Sequence, residues 1–127
     1  MQDLHIEGHC ALACGRIREV LARVADKWSV LILYQLGQSP RRFNELKRDL
    51  GITQRMLSLT LRDLERDGLI RRTPVSVTPP RVDYALTDLG QSLREPIRGL
   101  AQWALANLDK IDAARAAFQE PDDADQN

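Results

Sequence analysis

The chain has 127 residues, 43% of them hydrophobic and 28% charged, a profile that fits one globular domain and excludes a disordered or fibrous polymer. No apolar run approaches the roughly 18 residues needed to cross a bilayer, and the opening MQDLHIEGHC lacks the charged and apolar regions of a secretion signal, so the expected location is the cytoplasm. Net charge is zero, yet Gln38 to Val82 holds ten basic residues against five acids, while EPDDADQN at the end holds four acids; such segregation builds a local positive field without a high overall pI.

CGRIREVLARVADKWSVLILYQLG places Ile17, Leu21, Val24, Trp28, Leu31 and Ile32 at helical spacing. It predicts one helix from about Gly15 to Leu36, deeply buried from Val30 to Leu33 and closed by Gly37. SPRRFNELKRDL predicts a short second helix, with Ser39 as N-cap, Pro40 in its first turn, and Phe43, Leu46 and Leu50 facing inward. ITQRMLSLTLRDLERDG predicts a third helix between Thr53 as N-cap and Gly68 as C-cap, with Leu57, Leu61 and Leu64 on its inner face. Two helices joined by about three residues around Gly51 form a helix-turn-helix pattern.

The period then changes. Ile70, Val75, Val77, Val82 and Tyr84 are strand formers around the turn Thr78-Pro79-Pro80, which predicts a hairpin of residues 69–76 and 81–86. A hairpin in this position is a wing. From Thr87, a good N-cap, the chain is helical again, and Pro96 is expected to kink or break that helix. Ile97, Leu100, Trp103, Ala104, Leu108 and Ile111 form a long apolar stripe beyond it. The resulting architecture is mainly α with a small β-hairpin. Residues 1–14 are expected to be a flexible segment, residues 15–119 the winged helix-turn-helix domain with its terminal helices, and residues 120–127 a disordered acidic tail.

Opposite its leucines, the third helix carries Arg55, Ser58, Leu59, Arg62 and Arg66. In a helix-turn-helix the second helix enters the major groove of double-stranded DNA, and its N-terminal half meets base edges. There Gln54 suits adenine, Arg55 and Arg62 suit guanine, Ser58 suits a base or a phosphate, and Leu59 suits a thymine methyl. Arg41 and Arg42 open the second helix, where backbone N–H groups attract phosphate. Arg81 sits at the wing tip, and Arg71 and Arg72 are further backbone contacts. Any one of these arginines read alone is an ordinary solvated side chain, and Arg62 and Arg66, four apart, repel slightly. Together they point to DNA.

Three segments, DKWSVLIL, PRRFNELKRDLGITQRMLSLTLRDLERDGLIRR and PPRVDYALTDLGQSL, resemble the HxlR family of bacterial winged-helix transcriptional regulators, relatives of the MarR group. The resemblance runs from about Cys14 to Trp103. It implies a homodimer whose first and C-terminal helices pack across a two-fold axis. It also implies that the helix from Thr53 to Asp67 reads a palindromic operator, with the wing at Pro79, Pro80 and Arg81 on flanking backbone. The apolar stripe agrees with a dimer, since few monomers leave so much apolar surface uncovered. Two recognition helices would then lie about 34 Å apart, one turn of DNA. Members of the family commonly carry a cysteine just before the first helix, which in some senses oxidants or electrophiles. Relative to Trp28, Cys14 lies one residue earlier than in that motif, where Gly15 falls instead.

His5, His9, Cys10 and Cys14 form H-x3-H-C-x3-C. These ligand types suit zinc, but no single helix arranges all four around one ion and Gly8 interrupts a helix here, so no metal is expected. Cys10 or Cys14 could instead cycle between thiolate and disulfide; the plainer reading is a pair of reduced thiols. There is no phosphate-cradling glycine loop and no Gly-x-Ser-x-Gly elbow. Neither catalysis nor a cofactor is expected, and a small-molecule effector is left open. The competing reading is a winged helix that binds protein partners instead of DNA. Its mark would be acids in place of the arginines, and the arginines are present. Repression is the simplest mode for a small domain that acts by occluding DNA.

Overall fold

A computed structural model describes residues 10–120 of the chain, with side chains from residue 13 onward. The expectations for His5, for His9, for the Cys10 side chain and for the tail beyond Glu120 lie outside the described residues. The chain begins with α1 (Cys10–Val24) and α2 (Lys27–Gln38), followed by β1 (Arg41–Arg42), α3 (Phe43–Leu50) and α4 (Gln54–Arg66). After these come β2 (Ile70–Val77), β3 (Pro80–Leu86), α5 (Asp88–Gln91), α6 (Arg94–Ala106) and α7 (Leu108–Ala117).

The single helix expected over residues 15–36 is two helices, and the first starts upstream of Gly15, at Cys10. Asp26 makes the break. Its backbone is extended, and its carboxylate accepts the N–H groups of Trp28 at 3.1 Å and Ser29 at 3.3 Å. A short acidic side chain satisfies orphan amides at a helix start better than it sits in a helix interior. The apolar periodicity runs across this joint, because both helices pack on one core, and so it hid the cap. In α2, Ser29, Ile32, Leu33 and Leu36 are buried, while Leu31 stays exposed.

Ser39 does not cap the next helix. It ends α2 in an extended conformation, and Arg41 and Arg42 then pair with β3, opposite Tyr84 and Asp83. Helix α3 starts three residues later than expected, at Phe43. Arg42 is its N-cap residue, and the Glu45 carboxylate accepts the Arg42 backbone N–H at 2.8 Å. Gly51 closes α3 at φ 65°, a left-handed conformation that glycine adopts without the Cβ clash of other residues.

Helix α4 keeps both expected ends. The Thr53 hydroxyl accepts the Met56 N–H at 3.1 Å. At the other end Gly68 takes φ 79°, and the Leu69 and Gly68 amides return to the carbonyls of Leu64 and Glu65, a paired C-terminal closure. Leu57, Leu61 and Leu64 are almost wholly buried, together with Ile32, Leu36, Leu46, Ile52, Leu69, Ile70, Tyr84, Leu86 and Ile97. Full burial of each such aliphatic side chain stabilises the fold by about 1.5–3 kcal/mol relative to exposure.

The three-stranded antiparallel sheet has the order β1-β3-β2. Pro74 lies in β2, an edge strand, beside a register shift between Pro74 and Ser76, positions where a missing N–H is tolerated. Downstream, Thr87 caps α5 as expected, accepting the Gly90 N–H at 3.1 Å. The break expected at Pro96 lies upstream instead, at Ser92 and Leu93, and Pro96 occupies the first turn of α6, where no backbone donor is required. A second break falls at Asn107, whose side-chain amide donates to the Trp103 carbonyl at 2.8 Å. Only Ile97 of the expected stripe is buried; Leu100, Trp103 and Leu108 are at least half exposed, and Leu105 is 73% exposed.

Gly90 is buried, and a Cβ there would fall 2.1 Å from the Leu69 carbonyl oxygen. That oxygen also accepts the Thr87 N–H, so it is held in place. Gly90→Ala is therefore expected to cost about 2–3 kcal/mol through overpacking, measured by urea denaturation; an unchanged midpoint would show that the joint between wing and α5 is not tightly packed.

Candidate nucleic-acid interface

Burying one leucine face of α4 turns the other face outward. Gln54, Arg55, Ser58, Leu59 and Arg62 are all exposed, with Thr53 at the mouth of the helix. The Arg62 side chain is 67% exposed. Among the described residues no ion pair holds Arg55, and Arg62 lies 3.9 Å from the neighbouring Asp63, at the outer limit of an ion pair. Met56, 42% exposed beside this face, escaped the sequence reading. It precedes Leu57 of the buried stripe, so the leucine period alone places it off the core face.

The two arginines before α3 part company. Successive residues of a strand point to opposite sides, and here one of them turns inward. The Arg41 guanidinium lies 3.4 Å from an Asp49 carboxylate oxygen and 3.4 Å from the Gln38 amide oxygen, with its Nε buried and unpartnered. Arg42 is exposed, and among the described residues it has no side-chain ion pair. Arg41 thus ties α3 to the end of α2 instead of opening the helix as a free cation.

The wing shows the same division. Arg71 and Arg72 are exposed on β2. Arg81 folds back on its own strand, with Nε 3.1 Å and Nη2 3.3 Å from the two Asp83 carboxylate oxygens. Pro80 is exposed at the start of β3. The wing tip and the start of α3 share one cleft of about 660 Å³, lined by Arg42, Asn44, Arg48, Pro79, Pro80 and Arg81. The fold therefore brings the expected wing residues beside those of the helix-turn-helix.

Cys14 is half-buried on α1 and is disulfide-bonded. Among the described residues no cluster of three or more His, Cys, Asp or Glu side chains could hold a metal ion, and no helix is long and apolar enough to cross a membrane.

A short helix, a glycine turn, an arginine-faced second helix and an antiparallel wing define a winged helix-turn-helix transcriptional regulator. The chain belongs to the HxlR-like helix-turn-helix family, matched over residues 23–112. It is 41% identical over 99 residues to the HTH-type transcriptional regulator YtfH of Escherichia coli, covering 77% of this chain and 79% of that one. Among solved structures it is similar to the transcriptional regulator ytfH from Salmonella typhimurium, with TM-score 0.73 and 40% identity over 78% of this chain and 89% of that one. It is also similar to the redox regulator HypR in its reduced form, with TM-score 0.70 and 34% identity over 77% of this chain and 98% of that one.

The N-cap bond of Thr53 holds the first turn of α4, where the readout residues begin. Thr53→Ala is expected to lower stability by about 1 kcal/mol. Urea denaturation measures it, and a variant as stable as the unmodified chain would mean that solvent replaces the cap at no cost.

Proposed function

We propose that the protein is a homodimeric repressor that binds a palindromic operator and blocks transcription by occupying it. The observation that carries this reading is the outer face of α4, where Gln54, Arg55, Ser58, Leu59 and Arg62 are all exposed above a fully buried leucine stripe. Gln54, Arg55 and Arg62 supply base-edge hydrogen bonds, Leu59 an apolar contact, and Thr53 and Ser58 contacts to phosphate or base. Arg42 and Arg72 neutralise backbone phosphates, with Pro80 and Arg81 against the flanking duplex. Arg81 brings Asp83 with it, so its contribution is smaller than that of Arg72. Arg41 acts indirectly, by holding α3 through Asp49.

The dimer reading is supported by Leu100, Trp103, Leu105 and Leu108, with Val20 and Leu21 of α1, all at least half exposed. That is more uncovered apolar surface than a monomer usually presents. A second copy related by a two-fold axis would cover it and set two α4 helices one turn of DNA apart. Sensing through Cys14 is supported by its disulfide and by the similarity to HypR, which is named a redox regulator.

The first test is fluorescence anisotropy against DNA from upstream of the protein's own coding sequence, across a salt series. Expected are two chains per site, steep weakening as salt rises, and a loss of roughly 1–3 kcal/mol of operator affinity in Arg62→Ala. An unchanged affinity in that variant would remove Arg62 from the readout. Repeating the series with reductant and with a mild oxidant tests the sensor: operator affinity should differ between the two, and the difference should vanish in Cys14→Ser. A difference that persists in that variant places the sensor elsewhere.

A further inference from the structure

The C-terminal end of α4 is electrostatically awkward. Asp63, Glu65 and Asp67 crowd its last turns, where the helix dipole is already negative. On an isolated helix these acids would draw in the helix's own arginines. Arg66 Nη2 does lie 3.1 Å from Asp63 Oδ1, and Arg62 Nη2 lies 3.9 Å from the same oxygen. A guanidinium closed onto a carboxylate presents little net charge to a phosphate or a guanine.

A residue from a distant part of the chain meets this excess. Arg23, in the last turn of α1, places Nη1 3.1 Å from Asp63 Oδ2 and Nε 2.8 Å from Asp67 Oδ2. One planar fork thus bridges two carboxylates one helical turn apart. The three side chains are 33%, 24% and 38% exposed, so the cluster is better shielded from solvent than Arg62, at 67%. Arg23 and Arg66 between them occupy both oxygens of Asp63.

We infer that Arg23 is a positioning residue for DNA binding that acts through Asp63. By occupying that carboxylate, it keeps Arg62 free to carry its charge to the nucleic acid. Removing Arg23 leaves Asp63 to capture Arg62, and the readout face loses a cation without losing an arginine. The inference rests on the reading of the α4 outer face as the DNA contact. Arg23 also bridges α1 to α4 in a partly buried network, so its loss lowers the thermal midpoint as well, and the salt slope and its restoration, not the midpoint, carry the test.

The test is operator binding across salt for the full chain, for Arg23→Ala, for Asp63→Asn and for the double variant, with the thermal midpoint of each. Arg23→Ala is expected to bind about tenfold more weakly, with a log-log salt slope flatter by about one unit. Adding Asp63→Asn to it should restore the slope, because the competing carboxylate is gone. Asp63→Asn alone should keep a slope at least as steep as that of the unmodified chain, which keeps the test decisive if Arg23→Ala folds poorly. Unchanged binding in Arg23→Ala, no restoration in the double variant, or a flatter slope in Asp63→Asn each overturn the inference alone. Absence of salt-steep binding in the unmodified chain overturns it together with the reading beneath it.

Discussion

The leucine stripe of α4 is the constraint on which the rest of the structure depends. Leu57, Leu61 and Leu64 are sunk into a core shared with Ile32, Leu36 and Leu46. At 3.6 residues per turn, burying that stripe leaves no freedom in where the opposite residues point. Arg55, Ser58, Leu59 and Arg62 are exposed because the leucines are not. The caps at Thr53 and Gly68 then limit the helix to one rigid rod. A surface presented this way needs no polar contact to orient it, so its side chains remain available to a partner.

Around that rod the fold sorts its arginines into two sets. Arg23, Arg41, Arg66 and Arg81 are each closed onto an aspartate of the same chain. Arg42, Arg55, Arg71 and Arg72 reach solvent, and among the described residues no ion pair holds them. Within the first set Arg23 joins α1 to α4 and Arg41 joins β1 to α3, whereas Arg66 and Arg81 pair within their own elements. The second set supplies the field. The basic middle of the chain is therefore smaller as a free positive patch than its composition suggests, and more sharply localised.

The helices beyond the wing follow a different logic. Ile97 anchors α6 to the core, and after it the apolar residues face outward. An apolar surface left in water costs about 25 cal/mol for each Å² that a partner could cover. Helix α1 adds Val20 and Leu21 to this exposed set, and it also carries Cys14 and Arg23. The helix that carries Cys14 and this exposed apolar pair is thus also the one that bonds directly to α4 through Arg23.

Local pattern was enough to specify much of this molecule. The leucine period of α4, its caps at Thr53 and Gly68, the turn at Gly51, the hairpin and the cap at Thr87 are each written in a few neighbouring residues, and each formed as those residues imply. The outward face of α4 followed from the same period. What lay beyond the sequence were choices between equally good local options. Asp26 could continue a helix or cap one, Ser39 could start a helix or end one, and Arg41 could face solvent or Asp49. Pro96 marked a break but not its place. The folded chain made those choices at different ranges: Asp26 accepts amides two and three residues on, Asp49 meets Arg41 eight residues away, and β1 pairs with β3, like Arg23 with Asp63 and Asp67, across some forty residues. Short-range sterics and the helical period act within a turn or two, so sequence alone determines which faces an element has, whereas the choice between rival caps, as at Asp26 and Ser39, waits for packing. Ion pairing and strand pairing act through space, so only the folded chain decides which arginines are bound and which are free.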